Sequence, residues 1–225
     1  MGRALGLALL VASAALGGCA QTGFRPAAPS ARAVFLELPA LSQEEAGRCG
    51  LVSLEILCTF HGVAVPEEDH LRLAQAVREQ GGVSGAELQA VLRELGMGAA
   101  LFQGSLGDAP TGLRRHVDAG RPVLAMISLD GEAHHYCLVN GYEPEGDVPY
   151  VLDPRRGQVA VGTERFDSLW ARSRRFTLVA APGLVAAASD PELEALHAGD
   201  ITLSDRDLKI IGLTALAILI LVLVL

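Results

Sequence analysis

Near residue 96 the hydrophobic pattern of this chain changes period, and that change restricts the fold more than any single motif. Before it, apolar side chains recur at helical spacing. From Cys49 to Phe60 they fall at Leu51, Leu54, Leu57 and Cys58, and Gly62 ends the run. A second helix is predicted from Pro66 to Glu79, opened by proline and acidic residues and closed by Gly81-Gly82. Ser84 caps a third, with Glu87 completing a capping box, and this helix runs to Leu95 before Gly96. Beyond Gly96, Ala99–Phe102, Pro122–Leu129, His135–Tyr142, Tyr150–Leu152, Gln158–Val161 and Arg175–Ala180 read as strands. Short helices are predicted at Leu113–Ala119 and Glu164–Ala171, and one early strand at Val34–Leu38. Helices first and antiparallel strands after make an α+β fold, with N-terminal helices packed on a C-terminal sheet.

Both ends of the 225-residue chain read differently from this middle. Met1-Gly2-Arg3 is followed by an apolar run, Ala4 to Leu16, and by Leu16-Gly17-Gly18-Cys19. One positive charge, a short apolar core and small residues at its end form an export signal. The ending resembles a bacterial lipobox, which implies cleavage before Cys19 and lipidation of that cysteine. Residues 1–18 are then a signal peptide and 19–33 a flexible tether of small, polar and proline residues. The folded domain is expected over 34–184, an acidic linker over 185–208 and a membrane segment over 209–225. Ile210 to Leu225 carries no charge, and its sixteen residues reach about 24 Å as a helix, somewhat short of a bilayer core of about 30 Å. The expected membrane contacts are therefore the Cys19 lipid and Ile210–Leu225.

The net charge of −8, with no basic stripe, excludes nucleic acid as a partner class. Arg155, Arg156, Arg172, Arg174 and Arg175 read as solvated positions. His61, His70, His116 and His197 show no metal-ligand spacing, so neither a metal nor a cofactor is expected.

Three constellations carry chemistry. Cys49 stands where a helix begins, and there the N–H groups and the helix dipole favour the thiolate, the reactive form of a cysteine. Gln43, six residues earlier, carries an amide able to donate to an oxyanion. His134-His135 opens an apolar strand, and Asp153 ends the next one, across the turn Glu143–Pro149. An aspartate so placed orients an imidazole through its second nitrogen. Adjacent residues of a strand face opposite ways, so only one of the two histidines can face Cys49. Cys58 and Cys137 have no assigned role, and a bridge between them has no support from spacing.

The order Gln43…Cys49-Gly50…His135-Tyr136…Asp153-Pro154 resembles the papain-like cysteine peptidases that remove double-glycine leaders from bacteriocins and related exported peptides. Phe60-His61-Gly62, Gly82-Val83-Ser84, Leu95-Gly96, Gly120-Arg121-Pro122, Gly157, Phe166 and Trp170 also follow that family's pattern, over roughly residues 36–181. The resemblance implies a papain-like fold with Cys49 as nucleophile, His135 as base and acid, Asp153 as orienting acid and Gln43 as oxyanion donor. His135 is chosen over His134 because Tyr136 follows it, which leaves His134 as a surface or loop residue. Trp170 is assigned to packing. Arg48 departs from the family, which often has aspartate there. The implied activity is hydrolysis after small residues such as Gly-Gly in an exported peptide or protein substrate, with export machinery as a partner. The expected location is the bacterial cell envelope, with the domain on the periplasmic or outer side. A silent peptide-binding module and an acyl-transferring enzyme are the alternatives.

Overall fold

The computed structural model describes residues 23–129, 134–146 and 148–184. Cys19, the signal-peptide segment 1–18, the linker 185–208 and the apolar segment 209–225 lie outside the described residues. Among the described residues no helix is long and apolar enough to cross a membrane.

Three consecutive helices, α1 (Cys49–Phe60), α2 (Glu67–Gln80) and α3 (Gly85–Glu94), precede most of the strands, as the change of period requires. Their ends follow from local chemistry. Pro66 precedes α2, three acidic residues fill its first turn, and Gly81 closes it in the left-handed region at φ 79°. At α3 the Ser84 hydroxyl accepts from the Glu87 N–H while the Glu87 carboxylate accepts from the Ser84 N–H, a complete capping box.

The strands are β1 (Phe24–Pro26), β2 (Val34–Phe35), β3 (Met97–Gln103), β4 (Val123–Ser128), β5 (His134–Glu143), β6 (Val148–Asp153), β7 (Gly157–Val161) and β8 (Phe176–Pro182). They form one antiparallel sheet in the order β1-β7-β6-β5-β4-β8-β3, and β2 pairs with the far end of β5. Short helices α4 (Leu113–Asp118) and α5 (Thr163–Ala171) complete the domain. The expected α+β arrangement is thus present.

Alternation along the strands gives the sheet two buried faces. Tyr136 and Leu138 of β5 join Leu51, Leu54 and Leu57 of α1 in one core. Cys137 and Val139 of the same strand turn to a second core with Phe166 and Trp170 of α5. Trp170 is fully buried, and its indole N–H donates to the Phe176 carbonyl at 2.8 Å, which fits its assignment to packing.

Two expectations need correction. The stretch read as tether contains β1: Phe24 is buried in the second core, and Phe24–Pro26 pairs with Val159–Val161. A single aromatic anchor among small and proline residues is enough, because the sheet supplies the partner strand. The early strand stops at Phe35 and does not continue to Leu38. At Leu36 the ladder is replaced by Asn140, whose carbonyl accepts from the Leu36 N–H at 2.8 Å and whose amide donates to the Leu36 carbonyl at 3.0 Å.

Removing the capping hydroxyl by Ser84→Ala should lower unfolding free energy by about 1 kcal/mol in a denaturant titration, without changing the cooperativity of the transition.

Candidate active site

The loop leading to α1 is shaped by two glycines. Gly47 lies at φ 80°, and a Cβ on it would stand 2.5 Å from the Gly81 carbonyl oxygen, so the loop packs against the end of α2 as only glycine allows. Gly50, in the first turn of α1, meets Val83 and Tyr136 so closely that a Cβ would stand 2.3 Å from Val83 Cγ2 and 2.9 Å from Tyr136 Cδ2. This contact brings the start of α1 onto β5. The Tyr136 N–H there reaches the Cys49 Sγ at 3.5 Å. Arg48 precedes the helix without a side-chain cap, and no acidic residue occupies the first turn. The positive end of the helix is therefore left facing Cys49. The Arg48 guanidinium turns back to Glu45, 3.6 Å away.

His135 is the second member. Its Nε2 bonds Asp153 Oδ1 at 2.8 Å, and the ring lies close enough to the Cys49 thiol for each to shift the other's pKa. With Nε2 engaged, Nδ1 is the nitrogen left for sulfur. Asp153 ends β6 one residue past the Leu138–Leu152 pair, so it reaches His135 diagonally across the two strands.

A fully buried carboxylate needs donors on every side. Asp153 accepts from His135, from the Arg155 N–H at 2.8 Å and from Arg156 Nη1 at 2.8 Å. The turn Asp153-Pro154-Arg155-Arg156-Gly157 makes this possible. The Arg156 N–H donates to the Asp153 carbonyl at 3.1 Å, Pro154 supplies the fixed φ of the turn, and Gly157 takes φ 72° before β7 pairs back.

These contacts set the protonation states. Burial alone would push the Cys49 thiol up, but the bond and charge of His135, with the N–H groups of Tyr136 and Gly50, hold it below the ordinary thiol value. Burial would push His135 down, yet Asp153 and Cys49 raise it to about 9. Burial likewise opposes ionisation of Asp153, and His135, Arg156 and the Arg155 N–H outweigh it, leaving the carboxylate well below its usual range. With the thiol lowered and the imidazole raised, each group favours the charged form of the other, thiolate beside imidazolium. Such a pair holds a nucleophile and a proton donor side by side.

Gln43 stands apart. Its amide Nε2 donates to the Glu45 carbonyl at 3.0 Å, and its Oε1 is buried without a hydrogen-bond partner. Its backbone N–H donates to the Pro154 carbonyl at 2.9 Å, which ties the loop to the Asp153 turn. Among the described residues no hydrogen bond joins Gln43 to Cys49.

Cys58 and Cys137 are unpaired buried thiols. Burial, reinforced by Glu55, pushes Cys58 up to about 12. Burial and the negative charges of Asp153 and Cys49 push Cys137 well above its ordinary value, so both stay neutral.

Three residues differ from their sequence reading, His134, Arg156 and Arg175. His134 is neither surface nor loop: it is buried in β5 and its Nδ1 bonds Ser173 Oγ at 2.8 Å. Arg156 binds Asp153 through its side chain, and Arg175 is paired with Asp167 through two bonds of 2.8 Å, whereas Arg155 is exposed as expected and meets Asp153 only through its backbone N–H. Two adjacent arginines inside an Asp-Pro…Gly turn were the available signal for Arg156, because a buried aspartate there needs a cation.

The chain matches the Peptidase C39 family over residues 37–182, well over half its length. No curated protein matches it. Among solved structures it is similar to a C39-like peptidase from Bacillus anthracis, at 18% identity, TM-score 0.52, and coverage of 70% of this chain and 99% of the other. It is also similar to a double glycine motif protease from an AMS/PCAT transporter solved with its leader peptide (18% identity, TM-score 0.49, 66% and 94% covered). A third similar structure is the peptidase domain of Streptococcus ComA, a bi-functional ABC transporter of a quorum-sensing pathway (17% identity, TM-score 0.48, 65% and 98% covered).

Gly50→Ala should force α1 away from Tyr136 and Val83 and slow alkylation of Cys49 by iodoacetamide by roughly tenfold or more, because the sulfur loses donors that lower its pKa. Stability should respond to pH mainly through Asp153. The raised His135 contributes stability that is fully present below about pH 6.5 and is lost as pH rises through about 9, and the lowered Cys49 opposes that loss. A depressed carboxylate stabilises above its unfolded pKa and loses that contribution as pH falls through and below about 4. Denaturant unfolding at a series of pH values should show this acid decline, and Asp153→Asn should make it shallower.

Proposed function

Because the chain belongs to the peptidase C39 family and is a cysteine peptidase, we propose that it hydrolyses exported peptides or proteins after small residues such as Gly-Gly, from a position tethered to the bacterial envelope. Cys49 is the nucleophile, His135 the acid and base, and Asp153 the residue that orients His135.

The observation that carries this reading is the buried His135, bonded to Asp153 at 2.8 Å and close enough to Cys49 that each favours the charged form of the other. The Cys49 thiolate attacks the scissile carbonyl carbon and its electron pair moves to oxygen. The N–H groups at the uncapped start of α1 receive that oxyanion. Gln43 joins them once its amide leaves the Glu45 carbonyl. As the tetrahedral species collapses, the C–N bond breaks and His135 gives its proton to the departing amine. An acyl-enzyme remains on sulfur. His135, now neutral, takes a proton from water, which attacks the thioester and releases the acid, and Cys49 returns as thiolate. A passive binding module has no use for a buried ion pair of this kind.

The preference for small residues follows from the family resemblance of the motifs. Tethering rests on Cys19 and the apolar run 210–225. Lipidation at Cys19 leaves four residues between it and Phe24, where the sheet begins, a reach of at most about 18 Å over the five Cα steps. The domain then works close to the membrane surface, on substrates at the periplasmic or outer side, beside the machinery that exports them. Recovery of the mature domain solely in the cytoplasmic fraction contradicts this placement.

Incubation with peptides carrying Gly-Gly, Gly-Ala and bulky junctions, with products read by mass spectrometry, tests the activity. Cleavage confined to small junctions is expected, with Cys49→Ala lowering kcat/KM by about 10⁴-fold or more. The pH profile should fall above about 9, where His135 loses its proton, and in acid, where the thiolate is protonated. Equal cleavage by Cys49→Ala would overturn the assignment.

A further inference from the structure

The Asp153 carboxylate is fully buried, and the cation facing it, Arg156, is held from outside the matched domain. The Arg156 guanidinium donates to Asp153 Oδ2 at 2.8 Å and is only 25% exposed. Its central carbon lies over the ring of Phe24, 5.5 Å from the centroid. Phe24 is 1% exposed and sits in β1, whose register against β7 runs from Phe24–Val161 to Pro26–Val159. Beta7 in turn is the strand that leaves the Asp153 turn. A planar guanidinium lying on an aromatic face still presents its N–H groups at the edge, toward a carboxylate, a geometry that lysine does not reproduce.

The family match begins at residue 37, so β1 stands before it in the chain. We propose that Arg156, seated on Phe24, is a positioning residue that clamps Asp153 against His135, and that the N-terminal strand is thereby a working part of the active site. The inference rests on the reading of Cys49, His135 and Asp153 as the catalytic residues.

Its physical content is a chain of restraints. Phe24 limits the paths open to the Arg156 side chain, Arg156 and the Arg155 N–H hold both carboxylate oxygens, and the fixed carboxylate holds the His135 ring toward sulfur. The groups that face this cluster are Cys49 from α1, His135 and Cys137 from β5, Asp153 from β6 and Arg156 from the turn. Losing the clamp removes a cation and loosens the imidazolium, and both changes disfavour the Cys49 thiolate.

The test is the pH dependence of Cys49 alkylation by iodoacetamide in the full-length protein, with the Cys49 peptide quantified by mass spectrometry and thermal unfolding followed in parallel. This readout needs no peptide substrate. Arg156→Met should raise the alkylation midpoint by about one pH unit or more, and Arg156→Lys should recover only part of the shift. Phe24→Leu, which keeps the apolar volume, should raise it by a smaller amount, and Phe24→Tyr should restore the parent value. A folded Arg156→Met or Phe24→Leu protein with the parent midpoint would overturn the inference. If Arg156→Met does not fold, Phe24→Leu decides. A parent protein whose Cys49 alkylates with an ordinary thiol midpoint overturns the catalytic reading itself, and the inference with it.

Discussion

The line of buried groups from Cys49 through His135 to Asp153 is the constraint on which the rest of the structure depends. All three groups are buried, and burial opposes each of the charges they carry. Ionisation is favoured because each charge has a partner, and each partner is held by a different element. Cys49 comes from the start of a helix, His135 from a central strand, Asp153 from its neighbour, and Arg156 from the turn that follows. Separating any two of these elements would leave a buried charge alone, which costs several kcal/mol.

That requirement explains features that otherwise look like incidental packing. Gly50 lets α1 approach Tyr136 closely enough for a backbone N–H to reach sulfur. The bond from Gln43 to Pro154 ties the loop before the helix to the turn after Asp153, so the segments that carry Cys49 and Asp153 are joined directly. Cys137, on the same strand as His135, stays protonated because it is fully buried and the charges of Asp153 and Cys49 outweigh that of Arg156, so Cys49 is the thiol here that its surroundings favour for ionisation.

Much of this was legible in the residues. The helix Cys49–Phe60 shows in its apolar spacing and the glycine that ends it, and the capping box at Ser84 shows in two residues at a fixed offset. The pairing of His135 with Asp153 follows from strand alternation and a short turn, which are local rules. The parts that were not legible depend on partners distant in sequence. The strand Phe24–Pro26 is three residues long and acquires its structure from β7, more than a hundred residues away. Arg156 looks like a surface charge until the burial of Asp153 is known, and His134 looks like a loop residue until Ser173 is seen beside it. The amide of Gln43 points to a carbonyl of its own loop, a local competition that residue type alone does not reveal.

The protonation state of His135 at rest tests the account most directly. Nitrogen NMR of histidine-labelled protein, with His135 assigned by its loss in a His135→Ala variant, reads both ring nitrogens as pH is varied. Both should carry protons from neutral pH up to about 9, and Cys49→Ala should lower that midpoint because the thiolate partner is gone. A His135 ring that is neutral at pH 7, with one protonated nitrogen and an ordinary midpoint, would contradict the ion pair and the mechanism built on it.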